Sequence, residues 1–231
     1  NDGSLLDIFK KYGCKTYGIE PTGAALEAIK KKHKVYNAYF DTRISKKLIN
    51  KFGSFDIITF TNVFAHIENF NELIKSLKIL IKPNTLLVIE NHYFGEVLKK
   101  NQFDTFYHEH PRTYSLNSFN KISQLLNMQI NDFNFVKRYN GNIRVFLSKK
   151  KNEKVLKRLN KSLKEEKKIN KLIKKFQLKI DQWKIKKRKE LVNLAKKYGP
   201  IPAKAFPGRA SILINLLKID NTIISKIYEK D

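Results

Sequence analysis

Residues 103–110 read Phe-Asp-Thr-Phe-Tyr-His-Glu-His. Two imidazoles, two carboxylates and a phenol fall within eight residues, interleaved with phenylalanine. Such a set suits a metal site, an acid–base site or a hydrogen-bonded polar loop. For a metal the spacing is poor. The helical two-histidine motif sets its ligands four residues apart, so that both reach one face. His108 and His110 are two apart, and on a strand they would share one face while Glu109 takes the other. A further ligand would have to come from His66, His92 or an acid. Acid–base chemistry asks for less: one base of suitable pKa and one donor for the charge that develops. That reading is carried forward, and no metal site is assigned.

Such a cluster needs a scaffold, and the 231 residues are long enough for one domain with an appendage or for two small ones. With 42% hydrophobic residues the chain is globular in composition. No apolar run reaches about 18 residues, so no membrane span is expected. The N-terminal residues lack the basic and apolar regions of a signal peptide. Cys14 is the single cysteine, which excludes an internal disulfide framework. Cytoplasm is the expected compartment, and the oligomeric state stays open, a monomer being acceptable. The net charge of +26 invites a nucleic-acid reading. Lysine, however, supplies most of the basic residues, whereas sequence-specific base readers lean on arginine. No specific nucleic-acid partner is expected, and a small anionic ligand such as a nucleotide diphosphate suits the charge equally.

Along the first 95 residues, short β-branched runs alternate with helical patterns. Strands are expected at "KTYGIEP", "KVYNAYF", "FDIITFTNVF" and "TLLVIENHYF", and helices at "LLDIFKKYG", "GAALEAIKKKH", "KKLINKFG" and "NFNELIKSLKILI". This order predicts an α/β fold with a doubly wound parallel sheet. Ligands of such sheets bind at the carboxyl ends of the strands, where Glu20, Asn62, Glu90 and His92 stand. Asn1-Asp2-Gly3 would form the turn before the first helix. No strand precedes it, so the chain reads as a fragment that begins inside a nucleotide-binding loop.

From residue 97 the alternation lapses. A helix capped at Ser115 or Asn117 is expected after the histidine cluster, then a hairpin turning at Asn140-Gly141. Residues 151–190 are Lys-rich with apolar spacings of three and four. They predict one long amphipathic helix, or two with a slip near Glu165-Glu166. A Gly/Pro loop, a helix and a final strand follow. The domains are accordingly 1–150 and 151–231, the second a small C-terminal α/β unit reached through the Lys-rich helix.

The runs "NDG", "GIEP", "FDIITFTNVFAHIENF", "IENHYF", "QFDTFYHEH" and "YGPIPAKA" occur in this order. Together they resemble the S-adenosylmethionine-dependent C-methyltransferases that act on nucleotide-linked deoxysugars. The resemblance spans nearly the whole chain, and the pairing of "NVFAHI" with "FDTFYHEH" is its most specific part. It implies a class I methyltransferase core, S-adenosylmethionine as cofactor and a nucleotide sugar as substrate. Members carry a zinc-binding module ahead of the core, which is missing here.

The resemblance also implies roles. His110 would be the general base that forms an enolate beside a ketone, Glu109 would orient or assist it, and Tyr107 would hydrogen-bond the sugar near its carbonyl or the enolate oxygen. His108 would be structural, and Asp104 a substrate contact or a loop brace. Asn1, Asp2 and Gly3 would hold the amino-acid end of the cofactor and Glu20 its ribose. Phe40 would pack the adenine or the core. Asn62 and His66 would stand beside the sulfonium, and His92, Tyr93 and Arg144 on the substrate side. Lys204 and Arg209 suit a diphosphate at a helix start. One departure is Tyr139, which replaces the histidine of a His-Gly-Gly-Ser run and alters the expected sugar pocket. Two other readings stay open: a non-catalytic or nucleic-acid-binding relative, and transfer to oxygen or nitrogen of another small molecule.

Overall fold

The computed structural model describes residues 1–204 and 207–228, with the backbone alone for 207–209. Two compact units are formed. One comprises Asn1–Ile58 and Asn69–Thr85, the other Thr59–Glu68 and Leu86–Asp231.

In the first unit α1 (Ser4–Lys11) is followed by β1 (Tyr17–Ile19), α2 (Ala24–Lys30), β2 (Lys34–Tyr36) and α3 (Thr42–Phe52). The strands are shorter than the apolar runs suggested, and β1 pairs with β2 in parallel. Helix α3 begins four residues before the expected "KKLINKFG", because the Asp41 side chain accepts from the Ile44 amide at 2.7 Å and caps an earlier turn. The chain leaves this unit within β3 (Ile57–Thr61) and returns to it for α4 (Phe70–Leu80), capped by Asn69. Ile44, Leu48 and Leu80 form its core cluster, with Ile19, Tyr36, Phe52 and Phe55 packed against it.

The second unit is built on a four-stranded sheet in the order β3, β4 (Leu86–His92), β6 (Asn142–Ser148), β5 (Gln129–Val136). Strand β6 is antiparallel to both of its neighbours. Register explains the division of faces. Leu87 opposes Leu147 and Ile89 opposes Val145, and all four are fully buried. On the other face Glu90 opposes Arg144 and His92 opposes Asn142, since side chains alternate along a strand. Between β4 and β5 lie α5 (Phe94–Lys99), a 3-10 turn at Phe103–Thr105, and α6 (Leu116–Leu125). A capping box of Ser115 and Ser118 starts α6, as the serine-rich run predicted.

The Lys-rich segment is two helices, α7 (Glu153–Glu166) and α8 (Ile169–Tyr198), which part just after the Glu165-Glu166 slip. Gly199, at φ 79°, ends α8. The expected Gly/Pro loop corrects to a strand, β7 (Ile201–Lys204), which pairs in parallel with β8 (Ile224–Tyr228) and precedes α9 (Pro207–Leu217). Pro202 lacks an N–H, but a two-stranded sheet is all edge, and edges tolerate that loss. The register shifts between Ile201 and Pro202.

Candidate active site

The first unit assembles the residues expected at the amino end. Gly3 sits at φ 81°, and a Cβ there would fall 2.9 Å from Cδ2 of His33 and 3.0 Å from Cβ of Ala28. Only glycine fits both the conformation and the space. His33 is buried beneath it, with Nδ1 2.7 Å from Thr16 Oγ1 and Nε2 2.9 Å from Asp7 Oδ1. Asp2 accepts from the Ser4 amide at 3.1 Å and from the Ser4 hydroxyl. Those bonds, the hydroxyl first, hold its carboxyl down at about 2. Glu20 follows β1, and its carboxylate accepts from the Thr22 amide at 2.9 Å, from the Thr22 hydroxyl at 2.7 Å and from the Asn1 nitrogen. Asn1, Asp2, Gly3 and Glu20 are thus neighbours. Phe40 lies beyond β2, in a loop, and packs on the Ile44–Leu48–Leu80 cluster.

In the second unit Asn62 follows β3 at φ 54°, a left-handed conformation that asparagine tolerates better than most residues. It is pinned twice. Its amide donates to the Glu90 carbonyl at 2.7 Å, and its side-chain oxygen accepts from Asn142 Nδ2 at 3.0 Å. Asn142, fully buried, donates also to Glu90 Oε1 at 3.0 Å. Arg144 closes the network, with Nε and Nη2 at 2.7 and 2.6 Å from Glu90 Oε2. Glu90 was named only for its place at a strand end, and Asn142 was given no role. Their roles depend on cross-strand register, which the one-dimensional pattern does not carry.

Around His110 the rings gather. Its centroid is 4.7 Å from that of His66, 5.7 Å from His92 and 4.6 Å from Tyr107, and Tyr139 stands 5.7 Å from His92. Nδ1 of His110 lies 3.0 Å from the Thr105 carbonyl. A carbonyl only accepts, so Nδ1 carries a proton, and in the neutral tautomer the lone pair then lies on Nε2. This orienting bond comes from Thr105, a task the sequence reading assigned to Glu109. Glu109 instead accepts from the Tyr107 hydroxyl at 3.0 Å. His108 is mostly exposed, 4.0 Å from Glu109. Asp104 is half-buried in the 3-10 turn. Arg112 donates to the Ile67 carbonyl at 2.6 Å and Tyr114 to that of Phe64 at 3.2 Å, so the short turn bearing His66 is fastened from the motif side. Burial pushes the Tyr114 phenol up to about 12, which keeps it a donor.

The two phenylalanines of the motif are anchors. Phe103 meets Trp183 at 5.0 Å between centroids, and Phe106 meets Phe176 at 6.0 Å. Phe176 and Trp183 are seven residues apart on α8, about two helical turns, so one side of that helix receives both.

Tyr93, expected on the substrate side, is buried. Its hydroxyl donates to Glu166 at 2.9 Å, and burial beside that carboxylate pushes the phenol pKa up. Glu166 also accepts from the Leu116 and Asn117 amides at 2.7 and 2.8 Å, so the last residue of α7 caps the start of α6. Lys204 is exposed at the end of β7. The side chain of Arg209 lies outside the described residues. Among those described, no group of three or more His, Cys, Asp or Glu side chains is placed to hold a metal ion, and no helix is long and apolar enough to cross a membrane.

A family described as a methyltransferase domain matches residues 1–131, more than half of the chain. The chain belongs to this methyltransferase-domain family. The C-methyltransferase NovU of Streptomyces niveus is 28% identical to it over 147 residues, covering 63% of this chain and 35% of that protein. The match thus spans about a third of the length of that curated relative. Among solved structures, a SAM dependent methyltransferase from Archaeoglobus fulgidus superposes with a TM-score of 0.52 at 13% identity, over 63% of this chain and 81% of that one. The methyltransferase domain therefore has the α/β fold of the class I enzymes. The family match takes in the glycine turn, Glu20, Asn62, His66, His92 and the whole 103–110 motif.

Proposed function

We propose that this domain carries a methyl group from S-adenosylmethionine to a carbon beside a ketone, in a nucleotide-linked sugar. The residues suit the cofactor. Gly3, which has no room for a side chain, turns the chain into α1, and we assign the start of that helix to the amino-acid end of the cofactor. Glu20, at the end of β1, is placed as an acceptor for ribose hydroxyls. When bound, the cofactor supplies an electrophilic methyl group on a sulfonium. Asn62, held by Glu90 and Asn142, is the residue we assign to that end of it.

The chemistry assigned to the chain is proton transfer. Carbon lacks a lone pair, so a C–H bond beside the carbonyl must first break. The proton passes to Nε2 of His110 and the electron pair to the carbonyl oxygen, which becomes an enolate. The Thr105 bond to Nδ1 is the observation that carries this reading, because it leaves the basic nitrogen at Nε2. Tyr107 is the donor we assign to the enolate oxygen, and in doing so it exchanges its bond to Glu109. NovU, a C-methyltransferase by name, supports carbon as the acceptor. The C-terminal α/β unit, with Lys204 and Arg209, is our assignment for the nucleotide diphosphate.

The test is solvent exchange. In heavy water the intact protein should exchange the sugar proton beside the ketone, and His110→Ala should lose exchange and methyl transfer together, by about 100- to 10,000-fold. Affinity for S-adenosylmethionine should hardly change in that variant. Methylation on oxygen or nitrogen, or transfer that survives in His110→Ala, would refute the enolate reading.

A further inference from the structure

We propose that Tyr139 is a specificity-determining residue, whose ring forms a stacking wall for the acceptor beside His92. This rests on the methyl-transfer reading above and adds to it the class of surface recognised, the C–H face of a saturated ring. The first observation is backbone conformation. Tyr139 sits at φ 48°, ψ 38°, and Asn140 follows at φ 61°. A bulky L-residue with a left-handed backbone is a real outlier, because Cβ crowds the following carbonyl. Nothing in the turn requires a tyrosine there, and glycine would meet the conformation without strain.

The second observation is how firmly the turn is held. Gln102 donates to the Tyr139 carbonyl at 3.3 Å and Lys100 to the Asn140 carbonyl. Gly141 takes φ 137°, and a Cβ there would fall 2.7 Å from Cβ of Glu96. The Gly141 carbonyl accepts from the Tyr93 amide at 3.0 Å. Strained residues persist where their surroundings over-determine them, and they concentrate at ligand sites. The clamp comes from the segment that leads straight into the 103–110 motif.

The third observation is where the strain puts the ring. Its centroid is 5.7 Å from His92, whose own ring is 5.7 Å from the base His110. Yet Tyr139 is 56% exposed. A ring strained into place for packing would be buried. This one offers most of its surface to solvent at the edge of the histidine cluster. Arg138 lies 5.1 Å from the ring centre and stiffens it by a cation–π contact. An exposed, stiff aromatic face suits the apolar side of a pyranose, which presents C–H bonds and no charge.

Three variants test this. Tyr139→Gly removes both ring and strain, Tyr139→Ala removes the ring alone, and Tyr139→Phe keeps the face. We expect Tyr139→Gly to melt at a higher temperature than the parent. We expect it and Tyr139→Ala to raise the acceptor KM about tenfold, as for a lost aromatic contact, with KM for S-adenosylmethionine unchanged. Tyr139→Phe should keep the parental KM. An unchanged acceptor KM in Tyr139→Gly, or a loss confined to kcat, overturns the proposal. A lower melting temperature for Tyr139→Gly also overturns it, because the ring would then be serving the fold. This thermal arm is readable whether or not the parent methylates a sugar. Absence of any transfer by the parent counts against the enolate reading, and the ratios between variants against Tyr139.

Discussion

His110 can act as a base only while its ring keeps one tautomer, and a main-chain carbonyl secures that. Glu90 plays a comparable part for Asn62, at the cost of burying a carboxylate. Its side chain is 3% exposed and serves Arg144 and Asn142 at once. Glu90→Ala should therefore destabilise the protein by about 3 kcal/mol in denaturant unfolding, the lower end for a broken buried pair, since Arg144 is half in water. A loss no larger than that of a surface alanine variant would show the network to be idle. Asp2 yields a pH prediction. Its carboxyl is lowered from 3.8 to about 2 by the Ser4 bonds, so the folded chain prefers it ionised. That contribution is complete above pH 4 and vanishes as the pH falls toward 2. Asp2→Asn should flatten the acid limb of the stability curve across this window, and parallel curves would remove the effect. Candidate residues could be named from the sequence because the motif packs several chemistry-bearing side chains into one run. Partners contributed by backbone carbonyls, as from Thr105, leave no trace in residue type.

At the level of elements, caps and turn residues were read well because their cause is local. Ser115 starts α6 and Asn140-Gly141 turns the hairpin, each through its own side chain or its own φ. What escaped was the bracing of one element by another. Glu166 ends α7 yet caps α6 and holds the hydroxyl of Tyr93, 73 positions away in sequence. No local pattern marks it. Glu166→Ala should cost about 1.5–3 kcal/mol, the range for hydrogen bonds to a charged group, because two helix amides and a phenol lose their acceptor together. Amide exchange at Leu116 and Asn117 should quicken in the same variant. Protection equal to the parent's would show that water replaces the carboxylate without penalty. Strand β7 escaped for a different reason. Proline is judged by what a central strand forbids, and this small sheet has no centre.

Across the whole molecule the charge of +26 remains the most conspicuous number. Spread over lysines on solvated helix faces, it predicts weak, sequence-blind attraction to duplex DNA or RNA that falls steeply with salt. Tight binding of one sequence at physiological salt would move α7 and α8 from scaffold to functional surface. Helix α8 already has a duty toward the site, because Phe176 and Trp183 carry the motif's two phenylalanines. Trp183 is the only tryptophan in the chain. The molecule's one indole emitter therefore rests on Phe103, the first residue of the loop that holds the candidate base. Should that loop lift, more of the half-buried indole would meet water and its emission would drift to the red. Should a ligand seat the loop more firmly, the emission would move to the blue. The protein thus carries its own optical gauge of the motif, readable in a stopped-flow cuvette without any dye.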